Sequence, residues 1–194
     1  MKKYFYILLS LIIIISGCES KKAEWNFGTK TYLNQNNKPF KIQRELEGNI
    51  WIANFIFTNC ETVCLPMSAN FKKLAELVEK ENLKVKFISF SVDPEIDNPE
   101  TLKRYSSNYD AEKFDWNFLT SYSQKYIEKY AKDKFQTYVY KPDSSNTDHI
   151  SSHNQVIHGT SFYLVDKNGH IVETYAGVQD VKFDEIINKI KEID

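Results

Sequence analysis

From Ile50 to Phe57 the chain is an almost unbroken run of β-branched and aromatic residues, and it leads into two cysteines, Cys60 and Cys64. Such a run reads as a strand covered on both faces, which places it inside a sheet with helices above and below. The sequence after it agrees. Met67, Phe71, Leu74, Ala75 and Val78 recur at helical spacing, with Lys72, Lys73, Glu76, Glu79 and Lys80 on the opposite side, so a helix is expected to about Glu81. Cys60 and Cys64 extend the apolar stripe backwards. With a helix start near Thr62 or earlier, their i, i+4 relation puts both sulfurs on one face, near enough for a disulfide or a shared metal ion. A helix start also favours thiolates, because its unpaired N–H groups and dipole lower a cysteine pKa. Two plainer readings stand beside this one: a structural disulfide, and two buried core cysteines. The strand-to-helix corner favours a site, because open α/β sheets keep their sites at such corners.

The elements that follow build the same kind of sheet. Val85, Phe87, Ile88, Phe90 and Val92 form a second buried strand ending at Ser91-Val92-Asp93-Pro94. As a parallel neighbour joined by the intervening helix, it brings its carboxyl end beside the cysteine corner. Asn98 caps and Pro99 opens the next helix, through Leu102 and Tyr105. Trp116, Phe118 and Leu119 suggest a short strand, and Tyr122 to Lys132 a further helix. Ser161 to Val165 is a strand, Asp166-Lys167-Asn168-Gly169 a hairpin turn and Ile171 to Tyr175 the returning strand. Phe183, Ile186, Ile187 and Ile190 stripe a final helix. Upstream, Trp25 to Leu46 has room for a strand or hairpin turning at Asn36-Asn37. The expected fold class is α/β, and the later elements match a thioredoxin-like fold, a central mixed sheet flanked by helices.

The first residues have a different purpose. Lys2 and Lys3 precede an apolar run from Tyr4 to Ile15, too short to span a bilayer comfortably, and Ser16-Gly17-Cys18 supplies small cleavage-site residues. The order is that of a secretory signal. Because it stops at a cysteine, it resembles a bacterial lipoprotein signal, in which Cys18 is lipidated and becomes the new N-terminus; an uncleaved anchor and an ordinary signal peptide are the alternatives. The expected division is a signal peptide over 1–17, a lipidated tether over 18–24 and one domain over 25–194. Losing two lysines with the signal moves the formal charge from −1 to near −3, so no basic face for nucleic acid is implied. Cys60 and Cys64 are then the only thiols of a domain facing a compartment where disulfides are allowed.

Lys141 to Gln155 is rich in Pro, Asp, Ser, Asn, Thr and His, and a loop of that length reads as a lid or binding surface. His149 and His153 lie in it, with a solvated loop histidine as the plainest reading of each. His158 stands just before the strand from Ser161. In a thioredoxin-like sheet the loop before the hairpin strand faces the cysteine corner, so two thiolates and one imidazole converge. A structural histidine is the alternative. Soft thiolates select Cu(I), an added imidazole also suits Cu(II), and structural zinc generally wants four protein ligands that are not visible here. Copper is therefore the expected metal. Asp93 is placed to be an outer carboxylate, or simply to initiate the turn at Pro94.

Three motifs together resemble the Sco/SenC family: Cys60-Glu61-Thr62-Val63-Cys64 after a buried strand, Ser91-Val92-Asp93-Pro94-Glu95-Ile96-Asp97 with Pro99-Glu100 following, and His158 before Phe162-Tyr163-Leu164-Val165-Asp166. The resemblance covers about Trp25 to the C-terminus. It implies a copper-binding protein that assists assembly of the binuclear copper centre of cytochrome c oxidase. Cys60, Cys64 and His158 would be its copper ligands and Asp93 the accompanying acid. The implied partner is the oxidase's copper-bearing subunit, met at the outer face of the cell membrane. The family usually has Pro directly after the second cysteine; here Leu65 precedes Pro66, which loosens the expected helix start but leaves the ligand spacing unchanged. The Cys-x-x-Cys of ordinary thioredoxins and their proline before the hairpin strand are missing, which counts against a general disulfide oxidoreductase. Three functions remain in view: copper delivery, reduction of the oxidase's copper-site cysteines by a thiol-disulfide reductase, and a peroxidase-like or redox-sensing role for a thiolate beside Thr58. His158 discriminates, because the reductase needs Cys60 and Cys64 but could dispense with it.

Overall fold

The computed structural model describes residues 25–60, 63–142 and 156–194. The expected signal peptide and tether with Cys18, and His149 and His153, lie outside the described residues. Nine strands are described: β1 (Thr31–Asn34), β2 (Pro39–Lys41), β3 (Ile50–Ile56), β4 (Val85–Ser91), β5 (Trp116–Thr120), β6 (Val139–Tyr140), β7 (Ile157–His158), β8 (Ser161–Val165) and β9 (Ile171–Ala176). The helices are α1 (Ile42–Leu46), α2 (Cys64–Lys80), α3 (Pro99–Ser107), α4 (Gln124–Phe135) and α5 (Phe183–Ile193).

Seven strands form one mixed sheet in the order β2-β1-β5-β4-β3-β8-β9. β3, β4 and β5 run parallel, while β8 lies antiparallel to β3 and to β9. β3 is an interior strand between β4 and β8, and all seven of its residues are buried. Its side chains alternate between two cores, as the pleat requires. Trp51, Ala53 and Phe55 face α4 through Ile127, Tyr130, Ala131 and Phe135; Ile50, Ile52 and Ile56 face α2, α3 and α5. The expected central mixed sheet with helices on both faces is the fold observed. In the second core Phe71 of α2 holds the layers together, its ring centroid 4.8 Å from Phe162, 5.1 Å from Trp116 and 5.2 Å from Phe87.

The N-terminal hairpin forms where Asn36-Asn37 marked its turn. Asn34 Oδ1 accepts the backbone N–H groups of Asn36 and Lys38, and Asn37 takes a left-handed φ of 55°, which asparagine tolerates. Other boundaries moved. The helix expected from Tyr122 begins at Gln124 because Ser123 caps it, accepting the Tyr126 N–H, while Tyr122 donates its hydroxyl to the carbonyls of Ser91 and Leu119. Two short elements had not been expected: α1, which buries Ile42 and Leu46 one turn apart, and a separate β6–β7 ribbon.

Candidate metal centre

The site lies where the parallel strands end. The β3–β4 register runs from Ile50 opposite Val85 to Ile56 opposite Ser91, and the Val92 N–H then donates to the Ile56 carbonyl at 2.8 Å. One loop leaves this edge toward α2 and carries Thr58 and Cys60; another leaves toward α3 and carries Asp93 and Asp97. A fully buried carboxylate ties them together. Asp97 accepts the Thr58 hydroxyl and the Ser91 hydroxyl at 2.6 Å each, with the Thr58 N–H at 3.3 Å. Burial raises its pKa, and those donors oppose the rise by stabilising the charge.

Cys64 is the first residue of α2, and Cys60 lies before the helix. This corrects the expected start near Thr62, and Pro66 explains the shift. A start at Thr62 would leave Pro66 unable to donate to the first turn, whereas a start at Cys64 makes it the third residue, where no donor is needed. The exposed Leu65 and the later proline are therefore compatible with an ordinary first turn, closed by the Met67 N–H on the Val63 carbonyl. Since Cys60 is not on the helix, a shared helical face does not bring the sulfurs together. The Cys64 N–H donates to Cys60 Sγ at 3.3 Å, so the sulfur takes an acceptor's place at a helix start that no capping side chain fills.

Both residues are buried thiols rather than a disulfide. The Cys64 thiol is held well above its ordinary pKa, first by its hydrogen bond with Cys60 and then by burial; a backbone hydrogen bond from Phe57 opposes the rise. The thiolate-favouring effect expected of a helix start is thus outweighed at Cys64. The Thr58 hydroxyl donates to Asp97 rather than to a thiolate.

His158 arrives from the other side on β7, paired with Val139 of β6. Its Nδ1 lies 2.9 Å from the Gly159 carbonyl, and because a carbonyl only accepts, Nδ1 carries the proton. Nε2 is left with its lone pair 3.5 Å from Cys64 Sγ. Burial lowers the imidazole pKa, keeping the ring in the neutral form that binds metals. The Phe57 ring packs edge-on against it at 5.7 Å. Glycine at 159 lets the chain pass close to the segment before β6: an added Cβ would stand 2.2 Å from Thr137 Oγ1.

Asp93 is 1% exposed, and its Oδ1 pairs with Lys141 Nζ at 2.8 Å; the same ammonium meets Glu95 at 2.9 Å. Its Oδ2 has no hydrogen-bond partner among the described residues. Cys60, Cys64 and His158 thus lie together through Cys64, while the partner the structure gives the Asp93 carboxylate is Lys141. Among the described residues no group of three or more His, Cys, Asp or Glu side chains is already arranged to hold a metal ion. The two contacts share Cys64, so a metal would have to draw the three donors inward and displace the thiol protons. The donor set itself, two sulfurs and a neutral imidazole nitrogen, fits copper.

Sequence reasoning missed what Asp97, Ser91 and Lys141 do. Asp97 had a signal, an acid one helical turn after Asp93 and directly before the capping Asn98. Lys141 had none, being one lysine at the edge of a polar loop.

A thioredoxin-like sheet with two thiols and one imidazole at the carboxyl ends of its parallel strands defines a class of thiol and metal-handling proteins. Within that class the chain belongs to the SCO1/SenC family, whose family model matches residues 22–193. A solved SCO1/SenC family lipoprotein from Bacillus anthracis str. Ames is similar to it at 42% identity and a TM-score of 0.79, covering 90% of this chain and 98% of that one. BsSco, described as having a disulfide switch and as a member of the Sco family of cytochrome c oxidase assembly proteins, is 40% identical, with a TM-score of 0.73 over 87% of this chain and 93% of its own. Bradyrhizobium japonicum ScoI, solved with copper bound, is 25% identical, with a TM-score of 0.66 over 86% of this chain and 98% of its own.

Proposed function

We propose that this chain is a membrane-anchored, extracytoplasmic copper-binding protein that assists assembly of the binuclear copper centre of cytochrome c oxidase. Cys60, Cys64 and His158 are its copper ligands and copper is its cargo. The observation that carries this reading is the 3.5 Å approach of His158 Nε2 to Cys64 Sγ, with the opposite ring nitrogen fixed by a carbonyl. With Nδ1 protonated, Nε2 turns its lone pair to Cys64 Sγ, where it can accept the thiol proton and, once that proton is lost, share a metal ion with the sulfur. The relatives' oxidase assembly role and bound copper support the reading. It is tested by titrating the reduced, metal-free domain with Cu(I) and Cu(II), then repeating after oxidation. One equivalent bound by the reduced form alone is expected, because a disulfide removes both sulfur donors. Equal binding after oxidation would refute the site.

A second reading, a thiol-disulfide reductase acting on the oxidase's copper-site cysteines, is favoured by the adjacent buried thiols. It needs Cys60 and Cys64 and not His158, so His158→Ala separates the two. Anchoring by a lipid on Cys18 is part of the proposal; it is supported by the small residues ahead of that cysteine and by the lipoprotein description of the Bacillus anthracis relative.

A further inference from the structure

His158 stands on a ribbon that is not part of the main sheet, since β6 and β7 pair only with each other. Two-residue strands are weak on their own, so something outside the ribbon has to fix its place. Lys141, the residue directly after β6, does this from three directions. Its ammonium reaches the loop after β4 through Asp93 Oδ1 at 2.8 Å and Glu95 Oε2 at 2.9 Å, and its backbone N–H reaches Glu128 of α4 at 3.4 Å. That loop also contains Asp97, which holds Thr58 and so the segment leading to Cys60. The cysteine side and the histidine side of the site are thereby tied to one piece of chain between β4 and α3. We propose that Lys141 is a positioning residue for His158: its ion pair with buried Asp93 clamps the β6–β7 ribbon so that the imidazole faces the thiols. Asp93 would then act as the ribbon's anchor rather than on the metal.

The copper arm of the test rests on the proposed function; the other arm does not. In reduced, metal-free protein, Lys141→Met should shift or broaden the His158 ring signals in NMR, whereas Lys141→Arg should keep them near wild type. In the copper arm, Lys141→Met should weaken Cu(II) binding by about tenfold, the low end of the cost of losing a ligand's own hydrogen-bond partner because Lys141 acts on the ligand only through the ribbon, and weaken the thiolate-to-copper absorption. Because Lys141→Met leaves a buried carboxylate unpaired, the double variant Lys141→Met with Asp93→Asn is measured beside it. The double variant removes that charge, so it should unfold near the wild-type temperature while its His158 signals stay perturbed. Wild-type ring signals in Lys141→Met, or their recovery in the double variant, would overturn the clamp. If wild-type protein takes up no copper, the proposed function falls, and the ring signals still decide the clamp.

Discussion

The Nδ1–H of His158 is committed to the Gly159 carbonyl, while the Cys64 proton is held by its hydrogen bond with Cys60 and by burial. A metal entering here meets a histidine ready to bind and a thiol that must first lose its proton. Copper affinity should therefore rise with pH by about tenfold per unit for each proton released, which pH-dependent competition titrations can measure. His158 contributes to stability with a definite sign. Its pKa is lower in the folded protein than the ordinary value of about 6.5, so its contribution is full above that value and is lost as pH falls through the depressed folded pKa. His158→Ala should flatten this part of the stability profile in denaturant titrations. It should also cut Cu(II) affinity by more than the roughly 10–100-fold that outer-partner changes cost, with His149→Ala and His153→Ala doing little by comparison. His158 was legible because its place before a recognisable strand fixes which edge of the sheet it reaches. Asp97 had only its spacing from Asp93 to mark it, and its role was not legible, because that role comes from Thr58 and Ser91, partners that pattern alone does not bring to it.

Between β3 and α2 the chain turns a corner whose parts were legible to different degrees. β3 was plain, since a strand covered on both faces has to be apolar throughout. The helix stripe was plain as well, but the stripe extends past the helix: Cys60 and Cys64 match its spacing, and only Pro66 reveals that the hydrogen-bonded turns begin at Cys64. The β6–β7 ribbon could not have been read, because two residues are too few to show an alternation. The corner geometry makes the thiols neighbours through a backbone N–H, so mild oxidation should join Cys60 and Cys64. Mass analysis under non-reducing conditions should show the loss of two hydrogens within one chain; persistent thiols would mean that the sulfurs cannot turn toward each other. The helix behind the corner is fixed by Phe71. Its truncation in Phe71→Ala should cost about 3–5 kcal/mol in denaturant unfolding, since three aromatic rings would border the vacated space.

For the molecule as a whole, function depends on where the domain is held as well as on what it binds. No helix among the described residues is long and apolar enough to cross a membrane; the attachment proposed above is a lipid on Cys18. A lipid on Cys18 would keep the domain near an oxidase in the same membrane, raising the effective concentration of the acceptor without any added contact. Cys18→Ala should therefore change processing or membrane retention in cell fractionation while leaving the domain's copper stoichiometry intact; unchanged processing and retention would refute the lipid. The decisive experiment combines this with the site. In cells lacking the protein, cytochrome c oxidase activity should fall, and the wild-type chain should restore it. If copper delivery is the task, Cys60→Ser and His158→Ala should both restore it poorly, because each removes one of the three proposed donors. A thiol reductase predicts a different pair of results: no rescue by Cys60→Ser and full rescue by His158→Ala, since disulfide exchange uses both sulfurs and no imidazole nitrogen. The two variants also control for each other's expression, as each is measured against wild-type membrane levels of the chain. Rescue by His158→Ala at equal abundance would thus remove the copper role while leaving the fold, the thiol pair and the family assignment standing.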